Sequence, residues 1–219
     1  MVSVPSGRRR SALFAPESVA AAPASIARLI AEATTSSIPR QRSHRKPLGG
    51  RAKRLFDIIV SATALAILGP LMLVVAALVS LQIGPALVGQ RRVGFGGKHF
   101  TSYKFRTARA SAPHVGCLGS VLRQSGLDEL PQLLNVLKGD MSLVGPQAVT
   151  PEEFAGSAGI RHYAATRPGI TGLWQVQTDA VRGRAARSAL DRLYVSRWSL
   201  GLDIALLSNM VFAPLKRTH

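Results

Sequence analysis

Acidic residues are scarce in this chain, aromatic residues are few, and cysteine is almost missing. Of 219 residues, 11 are Asp or Glu, 5% are aromatic, and Cys117 is the only cysteine. A lone cysteine excludes a disulfide framework and a thiolate-based structural zinc site. Few aromatics argue against a surface that reads single-stranded nucleic acid by stacking its bases. Yet 28 Lys and Arg leave a net charge of +17. That charge calls for a polyanion of another kind or a membrane surface, and nucleic acid is not the expected partner.

The charge is unevenly spread. Residues 1–54 hold 11 Lys and Arg against Glu17 and Glu32, and so carry +9. This stretch is rich in Ala, Ser and Pro and poor in large apolar residues, so residues 1–52 read as a disordered basic leader, with at most a short helix over 26–33. No apolar run follows Arg8–Arg10, which argues against a signal peptide.

Ile58 to Leu81 is a run of 24 residues without a charge, long enough for a membrane helix. Gly69-Pro70 divides it into two arms, each reaching roughly half a bilayer core. Pro70 removes one helical hydrogen bond, so a kink is expected. Arg51, Lys53 and Arg54 precede the run, and Arg91, Arg92 and Lys98 follow it. Basic flanks favour the cytoplasmic side, and here both flanks want it. A helix that dips in and turns back satisfies them; a kinked span and a buried core helix are the alternatives.

The glycines of Gly94-Phe-Gly-Gly97 match neither a dinucleotide fingerprint nor a P-loop. They read as a turn between strands over 87–92 and 99–104. Lys104 and Arg106 alternate with Phe105 and share one strand face, where two cations suit phosphate oxygens or a solvated surface equally well. Farther on, Leu130, Leu133, Leu134 and Leu137 fall at helical spacing. Pro131 fits only the first turn, which sets the helix start near 125–127. Asp128 and Glu129 then sit in that first turn, and Ser125 with Asp128 resembles a capping box. Asp128, Gln132 and Asn135 are expected on the polar, accessible face. Plain helix capping is one reading of the two acids. The other is a carboxylate held ionised by a helix terminus and nearby Arg, competent as a nucleophile or metal ligand. Cys117 is expected to be a buried or half-buried small residue. His99, His114 and His162 have no metal-ligand spacing, and Tyr194 reads as structural.

Lys104-Phe-Arg-Thr107, Leu127-Asp-Glu-Leu-Pro-Gln132, the run from Asn135 to Pro146, Arg167-Pro-Gly-Ile-Thr-Gly172 and Gln175-Val176 occur in order, with Tyr194, Trp198-Ser199 and Asp203 near the end. From about residue 53 to 216 the sequence resembles the bacterial sugar transferases, the monotopic polyprenyl-phosphate phosphoglycosyl transferases that initiate exopolysaccharide synthesis. The resemblance implies a mostly helical α+β fold: a re-entrant membrane helix hairpin over 53–84, then a cytosolic catalytic domain over 85–219 with interfacial amphipathic helices and a small β element. It implies an enzyme of the bacterial inner membrane, active on the cytoplasmic face. Its substrates would be a UDP-hexose, galactose or glucose foremost, and polyprenyl (undecaprenyl) phosphate, with magnesium as cofactor and membrane lipids as surroundings. Asp128 would be the nucleophile that forms a covalent aspartyl-phosphosugar, and Glu129 its metal-binding or acid–base neighbour. Lys104, Arg106, Arg123 and Arg167 would face phosphate.

The chain departs from the family's pattern at three places. Gln147-Ala148 stands where Arg-Pro is common. The segment 108–118 is short and lacks an acid, and Gln177-Thr178-Asp179 replaces a Ser/Asn-Gly-Arg. Arg182 or Arg184 would be the compensating cation. The alternative these departures allow is a catalytically weakened paralogue acting as a membrane-bound regulator or scaffold of polysaccharide assembly.

Overall fold

A computed structural model describes residues 47–109, 116–155, 160–176 and 184–216. The leader through residue 46, the short helix expected within it, His114, Gln177–Asp179 and Arg182 lie outside the described residues. The fold is α+β and mostly helical. Helix α1 (Gly50–Gln82) leads into an antiparallel hairpin of β1 (Leu87–Val93) and β2 (His99–Phe105). Then come α2 (Cys117–Ser125), a 3-10 turn at Leu127–Glu129, α3 (Gln132–Lys138) and β3 (Ser142–Val144). The short helices α4 (Pro151–Ala155) and α5 (Ile160–Ala164) precede β4 (Gly169–Thr171), and α6 (Arg184–Arg197) and α7 (Leu200–Lys216) complete the described chain.

α1 is one continuous helix with Pro70 inside it. The helix is long and apolar enough to cross a membrane. One stripe of it is covered. Lys53, Asp57, Ser61, Val75 and Val79 are buried, and Phe56, Val60, Ala64, Leu65, Met72, Ala76 and Ile83 pack partly against the two cores. The covered residues recur three to four apart in two stretches, from Lys53 to Leu65 and from Met72 to Ile83. The opposite faces are bare, with Ile67, Leu73 and Leu81 at 71, 74 and 82% exposure.

Polar ties fix the start of α1. The Lys53 ammonium meets Asp203 of α7 at 2.5 Å, both almost wholly buried. Asp203 also accepts hydrogen bonds from the Tyr194 hydroxyl (2.7 Å) and the Trp198 indole (3.0 Å). One turn on, Asp57 accepts from the Ser142 hydroxyl and the Leu143 N–H. Trp198 and Tyr194 are thus anchors for α1, and the structural reading of Tyr194 holds. A buried, hydrogen-bonded charge pair of this kind is costly to break from one side only.

Two motifs distant in sequence meet backbone to backbone. β3 and β4 pair in parallel, Ser142 with Gly169 and Val144 with Thr171. A Cβ on Gly169 would lie 2.1 Å from the Gly145 nitrogen, and one on Gly172 would lie 2.2 Å from the Gly145 carbonyl oxygen. The glycines of Val144-Gly145-Pro146 and Pro168-Gly169-Ile-Thr-Gly172 are required by this close approach.

The hairpin follows the alternation expected, each strand one residue longer than predicted. The helix after it does not. Ser125 ends α2 and donates to the Val121 and Leu122 carbonyls, so it caps nothing downstream. Gly126, at φ 71°, turns the chain out of α2, and α3 starts only at Gln132, after Pro131. Its buried residues are Gln132, Leu133, Asn135 and Val136, while Leu134 is exposed. The polar face expected to be accessible is therefore inside. Asn135 accepts the Tyr103 N–H (3.0 Å) and donates to the Thr101 carbonyl (2.7 Å), tying α3 to β2. Cys117 is exposed, not buried.

Candidate active site

Asp128 and Glu129 lie on the 3-10 turn between α2 and α3, where neither is taken up by a helix backbone. The flanking Leu127 and Leu130 pack against the cluster of Val75, Val79, Phe105 and Leu122. The carboxylates are therefore held beside the second half of α1. Lys104 of β2 forms an ion pair with Glu129 Oε1. Arg123, in the last turn of α2, donates to the Thr107 hydroxyl at 2.8 Å and contributes positive charge at Asp128.

The electrostatics differ from the expectation of a readily ionised Asp128. Burial raises its carboxyl above the ordinary aspartate range, the adjacent Glu129 carboxylate raises it further, and Lys104 and Arg123 only partly offset this. Half-burial withholds water from the charge. Such a group is a stronger base than a free aspartate and gains most from an added cation or from bond formation.

Arg106 and Arg167 stand elsewhere. Arg106 follows β2, and its side chain donates to the Pro85 carbonyl at 3.0 Å. Arg167 donates to the Gly139 carbonyl at 2.8 Å, beyond the far end of α3. Burial and the nearby Arg54 guanidinium lower its pKa, with Asp57 opposing. Of the four cations expected to face phosphate, Lys104 and Arg123 accompany the carboxylates.

A small polar cavity of about 50 Å³ adjoins the pair. Lys104, Glu129, Gln132, Gln147 and Trp174 line it together with Arg92. Gln147 thus occupies a cavity wall, and its Oε1 and the Trp174 Nε1 are buried there without a hydrogen-bond partner. Arg92 approaches the Ala148 carbonyl (3.4 Å) and Gln90 Oε1 (2.8 Å). Arg182 and the side chain of Arg184 lie outside what the structure describes; among the described residues Arg92 reaches the Gln147-Ala148 segment. The hairpin pairing that carries Arg92 opposite Phe100 was the available signal.

Among the described residues no three His, Cys, Asp or Glu side chains gather as a metal cluster. Asp128 and Glu129 offer two adjacent carboxylates whose charges oppose each other. That donor set fits a hard divalent cation completed by water and phosphate oxygens.

The sequence profile described as bacterial sugar transferase matches residues 49–217. Over 204 residues the chain is 38% identical to the exopolysaccharide production protein ExoY of Rhizobium meliloti, covering 80% of this chain and 90% of that protein. It is 40% identical over 181 residues to a UDP-glucose:undecaprenyl-phosphate glucose-1-phosphate transferase of Caulobacter vibrioides, covering 73% of this chain and 68% of the relative. Against an undecaprenyl-phosphate galactose phosphotransferase of Salmonella typhimurium it is 38% identical over 193 residues, 75% of this chain and 40% of the relative.

Proposed function

This chain belongs to the bacterial sugar transferase family, and we propose that it transfers a sugar 1-phosphate from a UDP-hexose to polyprenyl phosphate, the committing step of an exopolysaccharide pathway. The relatives' names make galactose and glucose the leading sugars. The observation that carries the reading is Asp128 itself: half-buried, with Glu129, Lys104 and Arg123 around it, on a turn packed against the apolar helix.

The Asp128 carboxylate attacks the β-phosphorus of the UDP-sugar. The bridging bond to the α-phosphate breaks, UMP leaves with the bond's electron pair, and an aspartyl-phosphosugar remains. An oxygen of polyprenyl phosphate then attacks the same phosphorus, returning the Asp128 carboxylate and giving a polyprenyl diphosphosugar. Phosphoryl transfer depends mainly on positioning and on neutralising charge. Lys104 and Arg123 supply that charge from β2 and α2. Glu129, fixed by Lys104, keeps Asp128 strongly basic. Asp128 and Glu129 would hold magnesium, which would neutralise diphosphate oxygens.

The acceptor is a lipid, so the site has to lie at a bilayer, and the packing of α1 favours a helix that dips in without crossing. The same domain packs against it from Lys53 to Leu65 and again from Met72 to Ile83. A span would carry the charged domain surface into hydrocarbon along with the helix, at a cost of several kcal/mol for each unsatisfied polar group. With basic residues before and after the helix, the inner membrane and its cytoplasmic face follow. The scaffold alternative is not favoured, because the named relatives are transferases and Lys104, Asp128, Glu129 and Arg123 remain together despite Gln147.

The test is covalent trapping. The full chain in membranes is incubated with UDP-galactose or UDP-glucose labelled in the sugar. Label fixed to the protein, released by added polyprenyl phosphate and lost in Asp128→Asn, is the expected result. Full UMP release by Asp128→Asn would overturn the mechanism.

A further inference from the structure

A groove of about 570 Å³ opens where α1 begins, at the other end of α3 from Asp128. Arg51, Arg54 and Arg167 line it together with Leu55 and Ile58. The ion pairs among the described residues are Lys53–Asp203, Lys104–Glu129 and Lys138–Asp140, so none takes up these three arginines. Arg54 donates to the Val136 and Leu137 carbonyls at 2.5 and 2.6 Å, and Arg167 donates to that of Gly139. These bonds to the C-terminal end of α3 orient the two guanidiniums without neutralising them. A guanidinium has five N–H donors, so donors remain on both. Burial lowers the pKa of Arg167 and the Arg54 guanidinium lowers it further, while Asp57 opposes both.

Guanidiniums outside any ion pair, beside exposed apolar side chains, match a phosphate that carries a hydrocarbon tail. A soluble anion would gain nothing from Leu55, 60% exposed, or from Ile58 at 37%. α3 has seven residues, a length of roughly 10 Å, and Asp128 lies beyond its opposite end. A phosphate in the groove is therefore out of reach of Asp128 and is not the reacting acceptor.

We propose that Arg51, Arg54 and Arg167, with Leu55 and Ile58 beside them, bind the phosphate of an anionic phospholipid of the surrounding bilayer, at a site separate from the reacting centre. The bound headgroup sets the depth of α1 by holding its first turn at the phosphate layer. This site requires only that the protein sits in a bilayer and is independent of the transfer chemistry.

The full chain is placed in nanodiscs of phosphatidylcholine with a minor share of phosphatidylglycerol, extracted gently, and weighed by native mass spectrometry with its retained lipid. Wild type is expected to keep phosphatidylglycerol selectively. Arg51→Gln, at an exposed position, should weaken retention about fivefold, the effect of one interfacial cation. Arg167→Lys, which keeps the charge but not the fork, should weaken it too. A leader variant with Arg8, Arg9 and Arg10 all changed to Gln should retain lipid as wild type does, and so should Asp128→Asn. Equal retention by Arg51→Gln and wild type would overturn the proposal. Displacement of phosphatidylglycerol by polyprenyl phosphate, with a raised KM for that acceptor in Arg51→Gln, would make the groove an acceptor site. Displacement by inorganic phosphate would make it a soluble-anion site. Either displacement overturns the proposal, and neither bears on Asp128.

Discussion

Lys104 pairs with Glu129 and acts on the adjacent Asp128 only through its charge. One acid of the pair is thereby neutralised and fixed, while the other stays half-buried, with its carboxyl raised above the ordinary range. Burial thus raises the Asp128 carboxyl first, and the Lys104–Glu129 pair, on a strand and a turn, adjusts it further with charges of opposite effect.

Removing Lys104 should therefore act on Asp128. In Lys104→Met the cation that lowers the Asp128 pKa is gone and the Glu129 charge is unopposed. The acid limb of the pH–rate profile for UMP release should move to higher pH. The rate on its plateau should fall about a hundredfold, the usual effect of losing one charge-stabilising group. Lys104→Arg should restore part of both. A profile unchanged in position would show that Lys104 does not tune Asp128.

Asp128→Asn should lose covalent labelling yet keep or gain thermal stability. The folded state holds the Asp128 proton more tightly than the unfolded chain, so ionising it costs stability as pH rises through the folded-state pKa. The variant's advantage should be present at neutral pH and vanish below the ordinary aspartate value of 3.8, where both states are protonated. Paired melting curves at pH 7 and in acid would check it.

The Lys53–Asp203 pair has side chains 4 and 0% exposed. Lys53→Met leaves Asp203 charged and buried, at a cost of about 3–5 kcal/mol. The double variant Lys53→Met/Asp203→Leu should recover much of that loss, as read by denaturant unfolding in detergent.

Gly169→Ala should be poorly tolerated although alanine is the smallest side chain available. Its Cβ would meet the Gly145 backbone nitrogen at 2.1 Å, and backbone on both sides cannot yield as a side chain tip can. A loss of about 1–3 kcal/mol or more is expected, visible as a lowered yield of folded protein. Gly96→Ala makes a useful contrast: it has open space around it but a φ of 68°, so only the backbone penalty applies.

Much of the fold was legible because local chemistry enforces it. The charge-free run from Ile58 to Leu81 can only be a long apolar helix, and the alternation around Phe105 places its ring in the core with Lys104 and Arg106 outward. The misreadings share one cause. The spacing of Leu130, Leu133, Leu134 and Leu137 alone predicts one buried stripe on a helix starting near 125–127, but Gly126 turns the chain and Pro131 delays the helix, so the buried stripe of α3 falls on Leu133 and Val136 with Gln132 and Asn135 beside them. Asn135 is buried because two backbone groups of β2, more than thirty residues earlier, satisfy it.

By itself, then, the sequence determined an apolar helix between basic flanks, a hairpin, and a scarce acidic pair near the start of a helix, since each depends on residues near one another in the chain. Tertiary structure decided which cations meet that pair, why three glycines in two motifs are obligatory, and how one face of the long apolar helix is covered toward both of its ends. Those outcomes depend on burial and charge between distant residues, Lys104 with Glu129, Gly145 with Gly169 and Lys53 with Asp203, and no local pattern encodes which partner arrives.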